Sequence, residues 1–110
     1  MNFSEKRRYP RLSLFAGALI TRHGEGHLSE VRDLSQGGAR LARPSNWPGR
    51  LDGTCRIYFI FEQEIVIALD AHCLREGAED LAFEFLPGQE TRVGALLYES
   101  RFLNQEREVD

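Results

Sequence analysis

Apolar and polar residues alternate with a period of two along most of this chain, the pattern of strands that bury one face. Residues 14–21 mix that alternation with small side chains, and His23-Gly24-Glu25-Gly26 follows as a glycine-bearing hairpin turn. A second strand is predicted at 27–32. Residues 33–38 then read as a turn, because Asp and Ser side chains bond their own backbone and Gly tolerates positive φ. A third strand begins at 39–42, and Pro44, Asn46, Pro48, Gly49 and Gly53 make the loop after it. Residues 55–61 are aromatic and β-branched, and 64–74 alternate through Ile65, Ile67 and Leu69, so two longer strands meet in a tight connection at Gln63. Residues 77–80 turn the chain into 81–85, where Leu81, Phe83 and Phe85 alternate with Ala82 and Glu84.

The period changes near the C-terminus. After Pro87-Gly88, the residues Val93, Leu96, Leu97, Phe102 and Leu103 fall near helical spacing among charged positions, predicting one amphipathic helix over about 90–105, within a segment 89–106. The expected fold is mostly β: a six-stranded antiparallel β-barrel (13–87) with a C-terminal α-helix covering an open end or side. A basic arm (1–12) precedes it, too poor in apolar residues for a core to fix, and expected to be flexible.

Composition narrows the class. The 110 residues are 42% hydrophobic and 28% charged, which suits one soluble globular domain. The longest apolar stretch, residues 57–61, is far short of a membrane span, and the polar, basic first 11 residues lack the apolar stretch of a signal peptide. A cytoplasmic protein is expected, with no membrane insertion. Cys55 and Cys73 make no disulfide framework and read as small, buried or half-buried strand residues. The net charge of −3 hides an asymmetry: residues 1–12 carry four basic side chains against one acidic, while the remainder carries 10 basic and 16 acidic. A basic arm on an acidic body suits a compact anionic ligand held at one place rather than nucleic acid bound along a face.

Two motifs carry candidate chemistry. Glu5-Lys6-Arg7-Arg8-Tyr9-Pro10-Arg11 contains an R-x-x-x-R pattern in Arg7 and Arg11, with Arg8 beside it. Guanidinium forks bond phosphate oxygens or the O6/N7 edge of guanine bidentately, and Pro10 favours an extended segment from which they fan out. Asp33-Leu34-Ser35-Gln36-Gly37-Gly38 is a D-x-S-x-x-G pattern, beginning 22 residues after Arg11. Its carboxylate can accept both N1–H and N2–H of a guanine, its serine offers a small donor-acceptor, and its glycine lets the backbone approach a flat ligand. Taken singly, the first also reads as a solvated basic tail and the second as an ordinary turn.

Together, at this spacing on a β framework, the two motifs resemble the PilZ domain family of receptors for the second messenger cyclic di-GMP. The resemblance extends to architecture over the whole chain, since that family is a six-stranded barrel often followed by a helix. It implies that Arg7 and Arg11, assisted by Arg8, contact phosphates and guanine edges. It implies further that Asp33 and Ser35 meet a guanine from the barrel, with Gly38 keeping the turn open. The arm would order over the ligand, and a separate downstream protein would read the result, as the chain shows no second domain. The glycine that family members carry before the last strand is replaced by Glu79-Asp80-Leu81, with Gly77 nearest, and His72 and Cys73 are the candidates for completing the site from the later strands.

Other residues read blandly. His23 and His27 flank the hairpin and are placed to face each other, but without C-x-x-C or H-x-x-x-H groupings no metal site is expected, and no cofactor. Trp47 is expected to plug a barrel end, and the 58–61 run to be core on one face with the helix over the other. No nucleophile elbow, P-loop or carboxylate pair points to an enzyme. The alternatives are a PilZ-like protein-interaction scaffold without a nucleotide, as in pilus assembly or motility, and an RNA-binding barrel, which lacks a second basic stripe. A monomer is expected, since no heptads are present.

Overall fold

The computed structural model describes residues 17–49, 53–62 and 65–109. Six strands and one helix follow in order: β1 (Gly17–Arg22), β2 (Glu25–Leu34), β3 (Gly38–Ala42), β4 (Thr54–Glu62), β5 (Ile65–Glu76), β6 (Asp80–Phe85) and α1 (Glu90–Val109). The strands close into an antiparallel barrel in the order β1-β2-β3-β6-β5-β4. Closure leaves no free sheet edge. The fold class is the expected one.

Alternation decides the core. Ile20, Leu41, Ile57, Phe59, Leu69 and Leu81 are essentially inaccessible, each flanked along its strand by more exposed neighbours. Phe59 and Phe85 meet edge to face, 6.1 Å between ring centres. Val93 and Leu96 add one face of α1 to this core, which fixes the helix against the barrel through contacts with β5.

The start of α1 is fixed by one side chain. β6 ends at Phe85, paired with Ala71; beyond it Leu86 N still donates to Asp70 O at 3.0 Å, but the Asp70 N–H meets no backbone acceptor on that side. Gln89 fills the gap. Its Oε1 accepts from Asp70 N at 2.7 Å, and its Nε2 donates to the carbonyls of Asp70 and Leu86, both at 2.9 Å. The amide thus stands in for a peptide group, while its own carbonyl accepts from Val93 N and opens the helix. Gln89 is the one buried polar residue among the described residues.

Several local expectations change. The first hairpin turns on two residues, His23 (φ 54°) and Gly24 (φ 80°), and Glu25 and Gly26 already pair with Arg22 and Thr21. Two positive φ values match the right-handed twist of the strands, which a longer turn would not require. His23 and His27 therefore do not face each other. His27 sits opposite Ile20, with Nδ1 3.3 Å from Asn46 Oδ1 and its ring edge-on to Trp47 at 5.3 Å. Trp47 is buried in the core cluster, and its Nε1 donates to Glu76 Oε1 at 3.1 Å. Cys55 is buried and Cys73 half-buried, as expected. Helix α1 runs past the expected 105 to Val109, since nothing in its last turns breaks a helix. Residues 14–16 of the first strand, the Gln63 connection and the whole arm lie outside the described residues.

Candidate functional site

Strand β2 does not stop at Arg32. It continues through Asp33 and Leu34, and the turn that follows is shorter than 33–38. The cause is a β-bulge. Val31 pairs with Leu41 and Asp33 with Arg40, so β2 spends one extra residue between them. His27, Ser29 and Val31 lean inward; Arg32 and Asp33 then both face out, and Leu34 returns to the core. Without the extra residue, strict alternation would turn Asp33 inward. The bulge therefore both exposes the carboxylate and keeps Leu34 packed.

The turn itself is held by Ser35. Its backbone N–H donates to Gly38 O at 2.9 Å; its hydroxyl donates to the same carbonyl at 3.3 Å and accepts from Gly38 N at 3.2 Å. One acceptor lone pair of the hydroxyl remains for a ligand. Phe85 N donates to Gly37 O at 2.9 Å and ties the turn to the end of β6. Gly38 has a sharper duty than keeping the turn open. A Cβ there would lie 2.0 Å from the Phe83 carbonyl oxygen and 3.3 Å from Glu84 Cα, so β3 and β6 can approach at this register only through glycine. Neither glycine has a positive φ; contact, not backbone conformation, selects Gly38.

A second bulge shapes the opposite wall. Cys73 pairs with Phe83 and Arg75 with Ala82, so β5 also spends an extra residue, and Leu74 turns outward with 61% of its surface exposed. Between the bulged strands lies a cleft of about 350 Å³, lined by Asp33, Ser35, Gly38, Arg40, Leu74 and Glu84 with neighbouring backbone. Arg40 is cross-strand partner of Asp33, and its Nη1 meets Asp80 Oδ2 at 2.7 Å. The Asp33 carboxylate makes no hydrogen bond or ion pair among the described residues. It lines the cleft.

The structure thus brings Asp33, Ser35 and Gly38 to one place. Arg7, Arg8 and Arg11 lie outside the described residues. His72 and Cys73 do not line the cleft: His72 stands a strand position away, opposite Glu84, and Cys73 leans toward the core. The later strands contribute Leu74 and Glu84 instead, and β3 contributes Arg40. Arg40 was signalled by its outward position in Ala39-Arg40-Leu41; nothing in the sequence marked Leu74. Without the arm the cleft is acidic on balance, Asp33 and Glu84 outweighing an arginine already paired. An anion carrying two phosphates needs further cations there.

The thiols are chemically quiet. Burial, the neighbouring Cys73 and Asp70 push the Cys55 thiol up to about 12, against the opposing pull of Arg22. Burial and Glu76 raise that of Cys73 as well. On the outer face of β4 and β5, Arg56 is held by Asp70 at 2.9 Å, and this hydrogen bond raises its already high pKa. No cluster of histidine, cysteine and carboxylate side chains among the described residues could hold a metal ion, and none of the described helices is long and apolar enough to cross a membrane.

Comparison with known proteins agrees with this geometry. By structure the chain is similar to the PilZ domain of CeSA from a cellulose-synthesising bacterium, at 22% identity and a TM-score of 0.64 over 79% of this chain and 93% of that one. It is also similar to an uncharacterised protein of Legionella, at 13% identity and a TM-score of 0.58 over 83% of this chain and 89% of the other. At such identities these likenesses speak for the fold. No curated protein matches. The PilZ domain profile matches residues 5–99, a span that takes in both arginine positions and the whole cleft. The chain accordingly belongs to the PilZ domain family, in general binding and adaptor domains for cyclic di-GMP rather than catalysts.

Proposed function

We propose that this chain binds cyclic di-GMP in the Asp33–Arg40 cleft and passes the signal to a separate protein by closing its N-terminal arm over the ligand. The observation that carries the reading is the outward carboxylate of Asp33, unpaired among the described residues, beside a serine turn. A carboxylate without a partner suits the paired N–H groups of a guanine edge, and the exposed Leu74 offers an apolar surface to the purine ring. The two phosphates require the cations of Arg7, Arg8 and Arg11, because the cleft alone would repel them. Ordering of the arm would reshape the surface around the cleft, and a partner could read that surface.

Calorimetric titration with cyclic di-GMP tests the reading. Saturable binding is expected, weakened roughly 5- to 150-fold in each of Arg7→Ala, Arg11→Ala and Asp33→Ala. Absence of heat and of chemical-shift change at excess ligand would replace it with the nucleotide-free scaffold. Hydrogen exchange tests the arm separately: amides of residues 4–11 gain protection only with ligand, and full protection in the free protein would refute closure.

A further inference from the structure

The cleft holds one cation that the two motifs leave out. Arg40 is the only positively charged side chain among the described residues lining it, and it stands directly across from Asp33 in the β2–β3 register. Cross-strand partners carry their Cβ atoms roughly 5 Å apart on the same face. A carboxylate and a guanidinium at that separation normally pair with each other. Here they do not. Arg40 is drawn to Asp80 on the far side, through Nη1 at 2.7 Å, and Asp33 pairs with no described residue. Asp80 is itself held where β6 begins: its carbonyl accepts from Gly77 N at 2.8 Å, and the adjacent Glu79 carbonyl accepts from Arg43 N at 2.9 Å. The arrangement keeps an acceptor and a donor fork side by side without letting them neutralise one another.

That pair matches one ligand edge. Guanine presents, in sequence along one side, N2–H, N1–H, O6 and N7: two donors followed by two acceptors. A carboxylate takes the donors, and a guanidinium takes O6 and N7 bidentately. Asp80 uses one end of the Arg40 guanidinium, and the remaining N–H groups stay available. We infer that Arg40, oriented by Asp80, reads the O6/N7 edge of the same guanine whose N1–H and N2–H bond to Asp33. This rests on cyclic di-GMP binding in the cleft. It assigns Arg40 to base recognition and leaves Arg7, Arg8 and Arg11 to the phosphates and the second base. Adenine would set its N1 lone pair against Asp33 and its N6 donor against Arg40, so cyclic di-AMP is excluded by repulsion on both sides.

Calorimetry with cyclic di-GMP, its 7-deazaguanine analogue and cyclic di-AMP tests this on the wild type, Arg40→Gln, Arg40→Lys and Asp80→Asn, each first checked by thermal melting. The wild type binds cyclic di-GMP, loses affinity for the 7-deaza analogue, and rejects cyclic di-AMP. Arg40→Gln weakens cyclic di-GMP roughly 5- to 150-fold and no longer distinguishes the 7-deaza analogue. Arg40→Lys, which keeps charge without the fork, behaves like Arg40→Gln. Asp80→Asn breaks the same ion pair and so weakens cyclic di-GMP, but it keeps the guanidinium and still distinguishes the analogue, which a merely structural role for Arg40 would not allow. Equal N7 discrimination in the wild type and Arg40→Gln overturns the assignment while leaving the binding function intact. A wild type that binds no cyclic di-GMP overturns both.

Discussion

The barrel has two dissimilar sides. Where β1 meets β2 and β4, the registers run without interruption from Gly17 to the hairpin, and the β1–β2 turn is made by backbone alone at His23 and Gly24. Around the cleft, β2 and β5 each carry a bulge, and the turn is held by a serine hydroxyl. On the regular side, buried and more exposed residues alternate through Ala18 and Ile20 on β1 and through Cys55, Ile57 and Phe59 on β4. The bulged side presents two consecutive outward residues on each wall, Arg32-Asp33 and Leu74-Arg75. A barrel obtains a binding concavity by breaking its own ladder, and the breaks must be held by particular residues.

Gly38 is the first of these, and changing it should have the largest effect. Any side chain at Gly38 drives an atom into the Phe83 carbonyl, and neither backbone can yield without separating β3 from β6. Gly38→Val is expected to destabilise by about 3 kcal/mol or more, measured by urea denaturation. A loss under about 1 kcal/mol would mean that the two strands need not approach so closely. Next comes Gln89→Leu, which fits the buried volume but takes the partner from the Asp70 amide and the Leu86 carbonyl, while the Asp70 carbonyl keeps only Leu86 N, for a loss of about 2–3 kcal/mol. Its sharper readout is hydrogen exchange, where Asp70 N–H should lose protection before the β1–β4 ladder does.

These residues also mark where the sequence was legible. Period-two alternation and the change to helical spacing identify the barrel and α1, because both arise from which face each residue buries. The bulges were not visible: a bulge shifts that phase by one residue, and Arg32-Asp33 reads equally well as a strand giving way to a turn. Gln89 was hidden for a related reason, since Pro-Gly-Gln-Glu has the composition of a loop and only the early end of β6 makes its amide necessary. Asp33 and Ser35 were legible from chemistry alone. Arg40 was visible as an outward charge, but its place in the cleft depends on β6 and β5 coming alongside, which local pattern does not encode.

Asp33→Ala separates chemistry from framework. The carboxylate makes no hydrogen bond or ion pair among the described residues, so stability should stay within about 0.5 kcal/mol of the wild type while affinity for cyclic di-GMP falls. A larger stability loss would show that Asp33 holds the turn. Cys55 supplies a companion on the quiet side. With its thiol pushed up to about 12, it should resist iodoacetamide at pH 8 until the barrel unfolds, and burst labelling in the native state would contradict the closed wall between β4 and β5. The sign follows from that shift. The folded protein keeps the thiol neutral while the unfolded chain ionises near 9, so this contribution to stability is full below pH 9 and is lost as the pH rises toward 12.

The smallest effect should come from the neighbour of the most sensitive residue. Gly37 lies beside Gly38 in the same turn, yet a Cβ on it would meet nothing within 4 Å, and its φ is not in the left-handed region. What the fold takes from Gly37 is its carbonyl, which accepts from Phe85 N and which alanine would supply equally. Gly37→Ala is therefore expected to shift stability by no more than about 0.5 kcal/mol, with a slight gain favoured because the unfolded chain loses freedom. Paired with Gly38→Val in one denaturation series, it asks whether the turn needs glycine for flexibility or for contact. Similar losses at both positions would point to flexibility. A near-zero change at Gly37 beside a collapse at Gly38 would locate the requirement in a single contact, the approach of the Phe83 carbonyl to β3.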